Sequence, residues 1–278
     1  MAHYPESLIT ELEERARQLR ITSLEMIHRR AAGHPGGALS AAEIIAALFF
    51  HKLRLDPARP DWPERDRFIL SKGHASAPLY AALAARGFIP AEELVRWGDL
   101  SCPLQGHPDR LKTPGVEMTS GILGHGVAIG AGLALSARLR GLHYRVYTLL
   151  GDGECQGGIV WEGALVAAKY RLSNLTAIVD CNGVQLDGPV HEVLPLEPFA
   201  DKWRMFNWAV LEINGHNMRQ ILEALDTAAE IHDRPTVIVA RTTKGKGVSF
   251  MENNAAWHGV APNDEQLARA LQELKGGA

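Results

Sequence analysis

Two apolar segments, each ending in polar residues and glycine, constrain the fold of this chain most strongly. The segment Arg145–Leu150 leads into Gly151-Asp152-Gly153, and one helix later the segment Leu175–Val179 leads into Asp180-Cys181-Asn182-Gly183. A strand, a helix and a strand at this spacing imply parallel strands joined by a right-handed crossover. The carboxyl ends of neighbouring parallel strands share one edge of the sheet, where ligands collect. We therefore expect Asp152 and Asn182 to lie close together.

Alternating helical and strand patterns continue through most of the chain. The predicted helices span about 7–30, 40–50, 75–86, 125–140, 158–171 and 217–232, with a last one from Asn263, and the apolar segments between them cover 67–70, 144–150, 175–180, 208–213 and 236–240. Ser40 is expected to cap the second helix. Residues 98–120 form a long predicted loop of the kind that usually has a function. No repeat or linker interrupts the pattern, so we predict a single domain over 1–278 and take Gly276-Gly277-Ala278 as its natural end.

The composition excludes several classes of partner. Lys plus Arg (29) and Asp plus Glu (32) leave a formal charge of −3, spread along 278 residues, so nothing favours binding to nucleic acid or to an acidic membrane. Three cysteines without zinc spacing suggest neither disulfides nor structural zinc. The acidic N-terminus is unlike a signal peptide, and the longest uncharged stretch, 119–137, contains five glycines and is unlike a membrane span. We expect a cytoplasmic protein with no membrane partner.

Asp152 and Asn182 are candidate metal ligands. A carboxylate and an amide oxygen from adjacent loops suit Mg²⁺ or Ca²⁺, with a backbone carbonyl, water and a bound phosphate completing the shell. Both segments could equally be ordinary turns, because Asp-Gly and Asn-Gly are common turn formers. The helix between them favours the ligand site, and the absence of a Gly-x-Gly-x-x-Gly or Walker A sequence argues against the usual nucleotide motifs.

Histidine and glycine occur together unusually often. Six of the 12 histidines adjoin a glycine: His34, His74, His107, His125, His216 and His258. Glycine lets the backbone turn or approach a ligand closely while the imidazole faces it. One such pair would be unremarkable, since a turn with a satisfied histidine is common, but six predict a site. His216 precedes a predicted helix and is expected to be structural.

In family order, these motifs resemble the N-terminal half of transketolase. The resemblance covers nearly the whole chain and is carried by Gly33-His34-Pro35-Gly36-Gly37, Ser71-Lys72-Gly73-His74-Ala75, Gly106-His107-Pro108, Thr119–Gly124, Gly151-Asp152-Gly153 with Asn182-Gly183, Trp161-Glu162, and Thr243–Gly247 through Trp257-His258-Gly259. It implies a thiamine diphosphate-binding α/β fold, with a central, mostly parallel sheet flanked by helices on both faces.

The resemblance also implies a role for each matched position. Asp152, Asn182 and the carbonyl of Val184 would bind Mg²⁺, with Ca²⁺ or Mn²⁺ as alternatives. The thiamine diphosphate would be contacted by His74, Gly121, Leu123, Gly153, Asn182, Leu186 and His258. The catalytic residues facing the sugar would be His34, His107 and His258, whose imidazoles can exchange protons near neutral pH.

Three positions bear on how closely the chain follows the family. His125 stands where the family often has glutamine, and Gly157 stands where it has a glutamate near the subunit interface. Glu162, a second acid of that interface, is retained. The link between the two sites of the dimer is therefore in doubt, and His125 could change substrate choice or be neutral.

The family's pyrimidine-binding and C-terminal domains have no counterpart in this sequence. We therefore predict the N-terminal subunit of a split transketolase, active in an α2β2 assembly with a C-terminal partner that brings the activating glutamate. The reaction would be transfer of a two-carbon ketol unit from a ketose, phosphorylated or otherwise modified, to an aldose. The alternatives are a thiamine-dependent 2-oxo acid dehydrogenase subunit or a non-catalytic cofactor-binding scaffold.

Overall fold

The sheet predicted from the strand–helix–strand pattern is the centre of the fold. The computed structural model describes residues 4–276, so the last two residues of the predicted end, Gly277 and Ala278, lie outside the described part. Its strands are β1 (Arg67–Leu70), β2 (Val146–Gly151), β3 (Leu175–Cys181), β4 (Val184–Gln185), β5 (Gly188–Pro189), β6 (Ala209–Asn214) and β7 (Thr236–Arg241). Five of them form a wholly parallel sheet in the order β1-β2-β3-β7-β6, and β4 and β5 form a small antiparallel pair. The α/β class with a parallel sheet is confirmed.

Helices cover both faces of this sheet, as expected. They are α1 (Glu6–Arg30), α2 (Pro35–Ser40), α3 (Ala42–Ala47), α4 (Ser76–Ala85), α5 (His125–Leu139), α6 (Gly158–Lys169), α7 (Val190–Val193), α8 (Phe199–Met205), α9 (Met218–Glu230) and α10 (Asp264–Lys275). Alternate strand residues enter two apolar layers: Ile178 belongs to the layer that contains residues of α1, α3, α4 and α9, and Val179 to the layer that contains residues of α5, α6 and α8. Strands buried on both faces read as continuous apolar runs, which is why the pattern identified them.

The second predicted helix differs from the structure. The chain enters α2 at Pro35, directly after His34, because proline is favoured in the first turn of a helix. Ser40 is the last residue of α2, and its hydroxyl donates to the Asp180 carboxylate at 2.6 Å. The expected Ser40 cap is therefore wrong. After α3 the chain continues as a short π-helix over Leu48–Lys52.

The register of the sheet places the two polar strand ends side by side. Gly151 at the end of β2 pairs with Asp180 near the end of β3. Loops after β1, β2, β3 and β7 therefore meet at one edge of the sheet.

The structure also bears on the expectations about membrane spans and cysteines. Within residues 4–276 no helix is both long and apolar enough to cross a membrane. Cys102, Cys155 and Cys181 all fall in the described part, and all three are buried and free.

Candidate active site

Three oxygen donors meet at the carboxyl ends of β2 and β3. Asp152 follows β2 and is buried; its Oδ1 accepts from Gly153 N at 2.8 Å and its Oδ2 from Gly183 N at 2.6 Å. The Asn182 Oδ1 accepts from Val184 N at 3.1 Å. Asp152, Asn182 and Val184 line one cavity of about 170 Å³. The structure thus brings together the three predicted metal-binding residues.

The chemistry of this donor set fits a hard divalent cation. Burial raises the pKa of the Asp152 carboxyl to about 6, partly offset by the two backbone N–H groups that it accepts from. A cation beside this carboxylate would favour its charged form. Within residues 4–276 no three His, Cys, Asp or Glu side chains cluster as a metal site. The fit therefore rests on one carboxylate together with an amide and a carbonyl oxygen.

Four of the predicted histidines form a cluster. The ring centroid of His34 lies 5.1 Å from that of His74, 5.4 Å from that of His258 and 6.3 Å from that of His107. His74 and His258 stack with their centroids 5.2 Å apart. His74 and His258 lie in the loops after β1 and β7, His34 lies in the turn before α2, and His107 lies in the long loop over 98–120. The fold therefore brings four separate segments of the chain together.

Three imidazoles of the cluster, those of His34, His74 and His258, have a lowered pKa. Burial, together with the charge of Lys244, lowers the pKa of His258 to about 4. Burial likewise lowers the pKa of His34 and takes that of His74 well below its ordinary value, with neighbouring lysines adding to the effect on His74. A neutral imidazole donates a hydrogen bond from one ring nitrogen and accepts one at the other, which suits binding to hydroxyl, carbonyl or phosphate oxygens.

Most of the predicted cofactor contacts line the same cavity as the metal-binding residues. His74, Leu123, Gly153, Leu186 and His258 all lie on its wall. A Cβ atom at Gly153 would lie 2.6 Å from that of Gln185, so only glycine fits between the cavity and β4.

Three predicted residues lie outside this wall but next to it. His34 reaches the cavity through its contacts with His74 and His258. Gly121 lies against His107, because a Cβ built on Gly121 would be 3.7 Å from the His107 ring. His107 is exposed. These three therefore extend the site beyond the cavity mouth.

Lys244 is a site residue that the sequence indicates only as part of the segment Thr243–Gly247. It is 2% exposed and lines the cavity. Its Nζ donates to the Val184 carbonyl at 3.0 Å and lies 2.8 Å from Nδ1 of His258. Burial and the charge of Lys72 lower the pKa of Lys244 to about 8. A lysine here adds positive charge to the surface that faces any bound anion.

Asp180 and Lys72 form a buried ion pair, and Lys72 lines the cavity. Lys72 is 1% exposed and Asp180 0% exposed, and the Lys72 ammonium donates to Asp180 Oδ2 and to the Gly37 carbonyl. The pair joins the loop after β1 to β3 across 108 positions of sequence. No local sequence pattern predicts an ion pair between residues so far apart in the chain.

Glu154 was also missed. This buried carboxylate accepts from the Ser71 hydroxyl, from Gly124 N at 2.7 Å and from Gly151 N at 3.0 Å. Burial raises the pKa of Glu154, and the three donors partly oppose the effect. Glu154 thereby ties the loop that carries Leu123 to the ends of β1 and β2.

The three positions compared with the family pattern, His125, Gly157 and Glu162, lie outside the cavity wall. His125 opens α5, and its Nδ1 lies 3.2 Å from the Leu123 carbonyl. Gly157 and Glu162 are both exposed at the start of α6. His216 is structural, as expected: its Nδ1 lies 3.1 Å from a Glu43 oxygen and its Nε2 accepts from Thr243 N.

Comparison with known families identifies one that matches nearly the whole chain. Residues 12–276 match the family described as transketolase, thiamine diphosphate binding domain.

Several similar proteins are subunits of about the same length as this chain. The 6-deoxy-6-sulfo-D-fructose transketolase subunit of Clostridium sp. (strain MSTE9) is 42% identical, over 95% of this chain and 96% of its own. One of the subunits of the apulose-4-phosphate transketolase of Phocaeicola vulgatus is 39% identical, over 96% of this chain and 94% of its own.

Longer relatives share the same fold. The human transketolase is 36% identical over 95% of this chain but only 42% of its own length. The crystal structure of transketolase from Campylobacter jejuni superposes with a TM-score of 0.91 at 34% identity, covering 96% of this chain and 43% of that one. The chain therefore spans less than half the length of these transketolases.

Proposed function

Because the chain belongs to the transketolase family and corresponds to its thiamine diphosphate-binding part, we propose that it is the diphosphate-binding subunit of a split transketolase. Its reaction would be the transfer of a two-carbon ketol unit from a ketose to an aldose. The coverage of relatives carries this proposal, because two proteins named as transketolase subunits match this chain over at least 94% of both lengths, while this chain covers only 42% of the human transketolase. These relatives favour ketol transfer over the 2-oxo acid dehydrogenase alternative.

The cofactors proposed are thiamine diphosphate and Mg²⁺. Asp152, Asn182 and the Val184 carbonyl would bind the cation, since all three residues carry oxygen atoms and line the cavity beside Gly153. Val184 would then exchange its present contact with Lys244 for the cation. His74 and His258 would donate to diphosphate oxygens, and Leu123 and Leu186 would contact the apolar parts of the cofactor.

When bound, thiamine diphosphate supplies the carbon nucleophile and stabilises the transferred fragment. The chain would supply the positioning and the proton transfers. His34 and His107, at the cavity mouth, would hydrogen-bond the sugar hydroxyls, and His258, beside His34, would assist their proton transfers. The retained histidines argue against a non-catalytic scaffold.

The partner proposed is a C-terminal transketolase subunit in an α2β2 assembly. Apolar side chains lie exposed around the cavity mouth: Leu123 is 44% exposed, Leu186 63% and Ile122 74%. A partner that covers them would exclude water from the site. In this proposal the chain is a single diphosphate-binding domain, and the partner brings the activating glutamate.

The donor sugar is proposed to be a modified or phosphorylated ketose. The two similar subunits are named for 6-deoxy-6-sulfo-D-fructose and for apulose-4-phosphate, and their identities of 42% and 39% do not separate the two substrates. A cytoplasmic location is proposed with this role, supported by three free cysteines.

The proposal is tested by assaying ketol transfer with the chain, its partner subunit, thiamine diphosphate and Mg²⁺ over a panel of sulfonated, phosphorylated and unmodified ketoses. We expect turnover with at least one donor and its loss in Asp152→Ala. The exposed Asp61→Ala serves as the matched control and should keep the parent rate. Oxidative decarboxylation of a 2-oxo acid without ketol transfer would instead support the dehydrogenase alternative.

A further inference from the structure

The carboxylate of Asp180 accepts hydrogen bonds from four side chains. Its Oδ2 accepts from the Lys72 ammonium, from Ser40 Oγ at 2.6 Å and from Asn182 Nδ2 at 3.2 Å, and its Oδ1 accepts from the Thr242 hydroxyl. Asp180 is fully buried and Asn182 is 8% exposed. The proposed cofactor contacts use Asn182 but leave Asp180 without a role.

A side-chain amide has two ends of nearly the same shape, and only its oxygen can bind a hard cation. The neighbours of Asn182 decide which end faces which way. A carboxylate paired with lysine only accepts, so the Asn182 atom beside Asp180 must be the NH₂ group. The other end accepts from Val184 N at 3.1 Å and must be the oxygen. The contacts at the two ends of the Asn182 amide therefore give the same orientation of the side chain.

This orientation of the amide determines which atom of Asn182 can bind a cation. The amide nitrogen is fixed toward the buried Asp180, and Oδ1 lies on the side of Val184, which shares the cavity wall with Asp152. A reversed amide would direct N–H groups at both the backbone N–H of Val184 and the cation.

We propose that Asp180, held in place by Lys72, is a positioning residue that orients the Asn182 side chain so that its oxygen binds the divalent cation. The inference rests on the proposed function in one respect, because it takes Asn182 to be a cation ligand. Partners of metal ligands are commonly worth about 10- to 100-fold in metal affinity.

The test replaces the pair with apolar residues of similar size, Lys72→Met with Asp180→Leu, so that no unpaired charge stays buried. Mg²⁺ affinity is measured by calorimetry on the full chain with thiamine diphosphate present. We expect Mg²⁺ binding to weaken by about 10- to 100-fold. The pair Lys52→Met with Asp226→Leu, which removes a partly buried lysine–aspartate contact outside the site, should leave the affinity unchanged.

A third substitution separates orientation from general disruption. Asn182→Asp supplies a carboxylate, whose two oxygens are equivalent and need no orienting partner. Added to Lys72→Met/Asp180→Leu, it should restore most of the Mg²⁺ affinity. A merely structural role of Asp180 predicts no such rescue, and failure of the rescue would overturn the proposal.

Failure of this proposal can be told apart from failure of the proposed function. If Asp152→Ala keeps Mg²⁺ binding, the metal assignment itself is wrong. If Asp152→Ala abolishes binding while Lys72→Met/Asp180→Leu keeps the parent affinity, only the positioning role is overturned.

Should the paired variant not fold, hydrogen exchange in the unsubstituted chain serves instead. The Asn182 side-chain amide protons, assigned by their loss in Asn182→Asp, should be protected from exchange with and without Mg²⁺. Rapid exchange would contradict the bond to Asp180.

Discussion

The Lys244 ammonium lies 2.8 Å from Nδ1 of His258, inside the proposed cofactor cavity. Because an ammonium group only donates, Nδ1 must accept, and the ring proton of neutral His258 must be on Nε2. Lys244 therefore fixes the tautomer of a proposed catalytic histidine and also contributes to its low pKa.

Replacing Lys244 with methionine should raise the pKa of His258 above about 4, toward the ordinary histidine value. Burial remains, so the rise should be partial. A pH titration of the His258 imidazole by NMR checks this. Lys246→Met removes a partly exposed lysine two positions away and is the control, expected to leave the His258 titration in place. An unchanged His258 pKa in Lys244→Met would contradict the role given to Lys244.

The space at Gly153 gives a second prediction. In Gly153→Ala the new methyl group would meet Gln185 at 2.6 Å, so β4 must move. We expect a loss of about 1–3 kcal/mol in unfolding free energy and at least tenfold weaker thiamine diphosphate binding. Denaturant unfolding and calorimetry measure the two effects. Gly158→Ala has open space around its Cβ and should change neither quantity appreciably; equal effects in both variants would show that Gly153 has no special constraint.

Glu154 gives a third prediction. A glutamine at this position has one acceptor oxygen and an NH₂ group facing donors, so at least one buried N–H loses its partner. Glu154→Gln should lower the unfolding free energy by about 1–3 kcal/mol. Glu230→Gln, at an exposed carboxylate, is the matched control. Denaturant unfolding measures the difference in unfolding free energy. A Glu154→Gln protein as stable as this control would show that the Glu154 carboxylate does not stabilise the fold.

The histidine cluster predicts a dependence of stability on pH. The pKa of His74 is lowered in the folded state, mainly by burial, so below the ordinary value of about 6.5 the unfolded chain binds more protons. Unfolding free energy should therefore fall as pH decreases through about 6.5, because protonation favours the unfolded chain. His74→Gln should flatten this slope between about pH 5 and 7. Denaturant unfolding at several pH values measures it, with the exposed His232→Gln as control; a slope in His74→Gln equal to that of the parent would contradict the prediction.

The sequence was informative where the chemistry follows a local pattern. The ends of β2 and β3 could be predicted because an apolar run ending in Gly-Asp-Gly or Asn-Gly is a local signal, and the parallel register then brings Asp152 close to Asn182. The positions of His34, His74, His107 and His258 came from the family resemblance, and the structure clusters them.

Partners far apart in sequence could not be predicted in this way. Lys72 and Asp180 pair across 108 positions, and Glu154 joins Ser71 to Gly124, so neither contact leaves a periodic trace. Ser40 ends α2 and does not cap a helix, and its hydroxyl donates to Asp180, a partner 140 positions away. Long-range polar contacts of this kind are visible only once the fold has been built.

The dependence of ketol transfer on a second subunit tests most directly whether this chain is the diphosphate-binding subunit of a split transketolase. Ketol transfer should be measured at a fixed concentration of this chain while its C-terminal partner subunit is titrated in, with thiamine diphosphate and Mg²⁺ saturating. A diphosphate-binding subunit of a split transketolase should show no turnover alone and a rate that rises and saturates at an equimolar ratio. Appreciable ketol transfer by this chain without the partner would contradict the account.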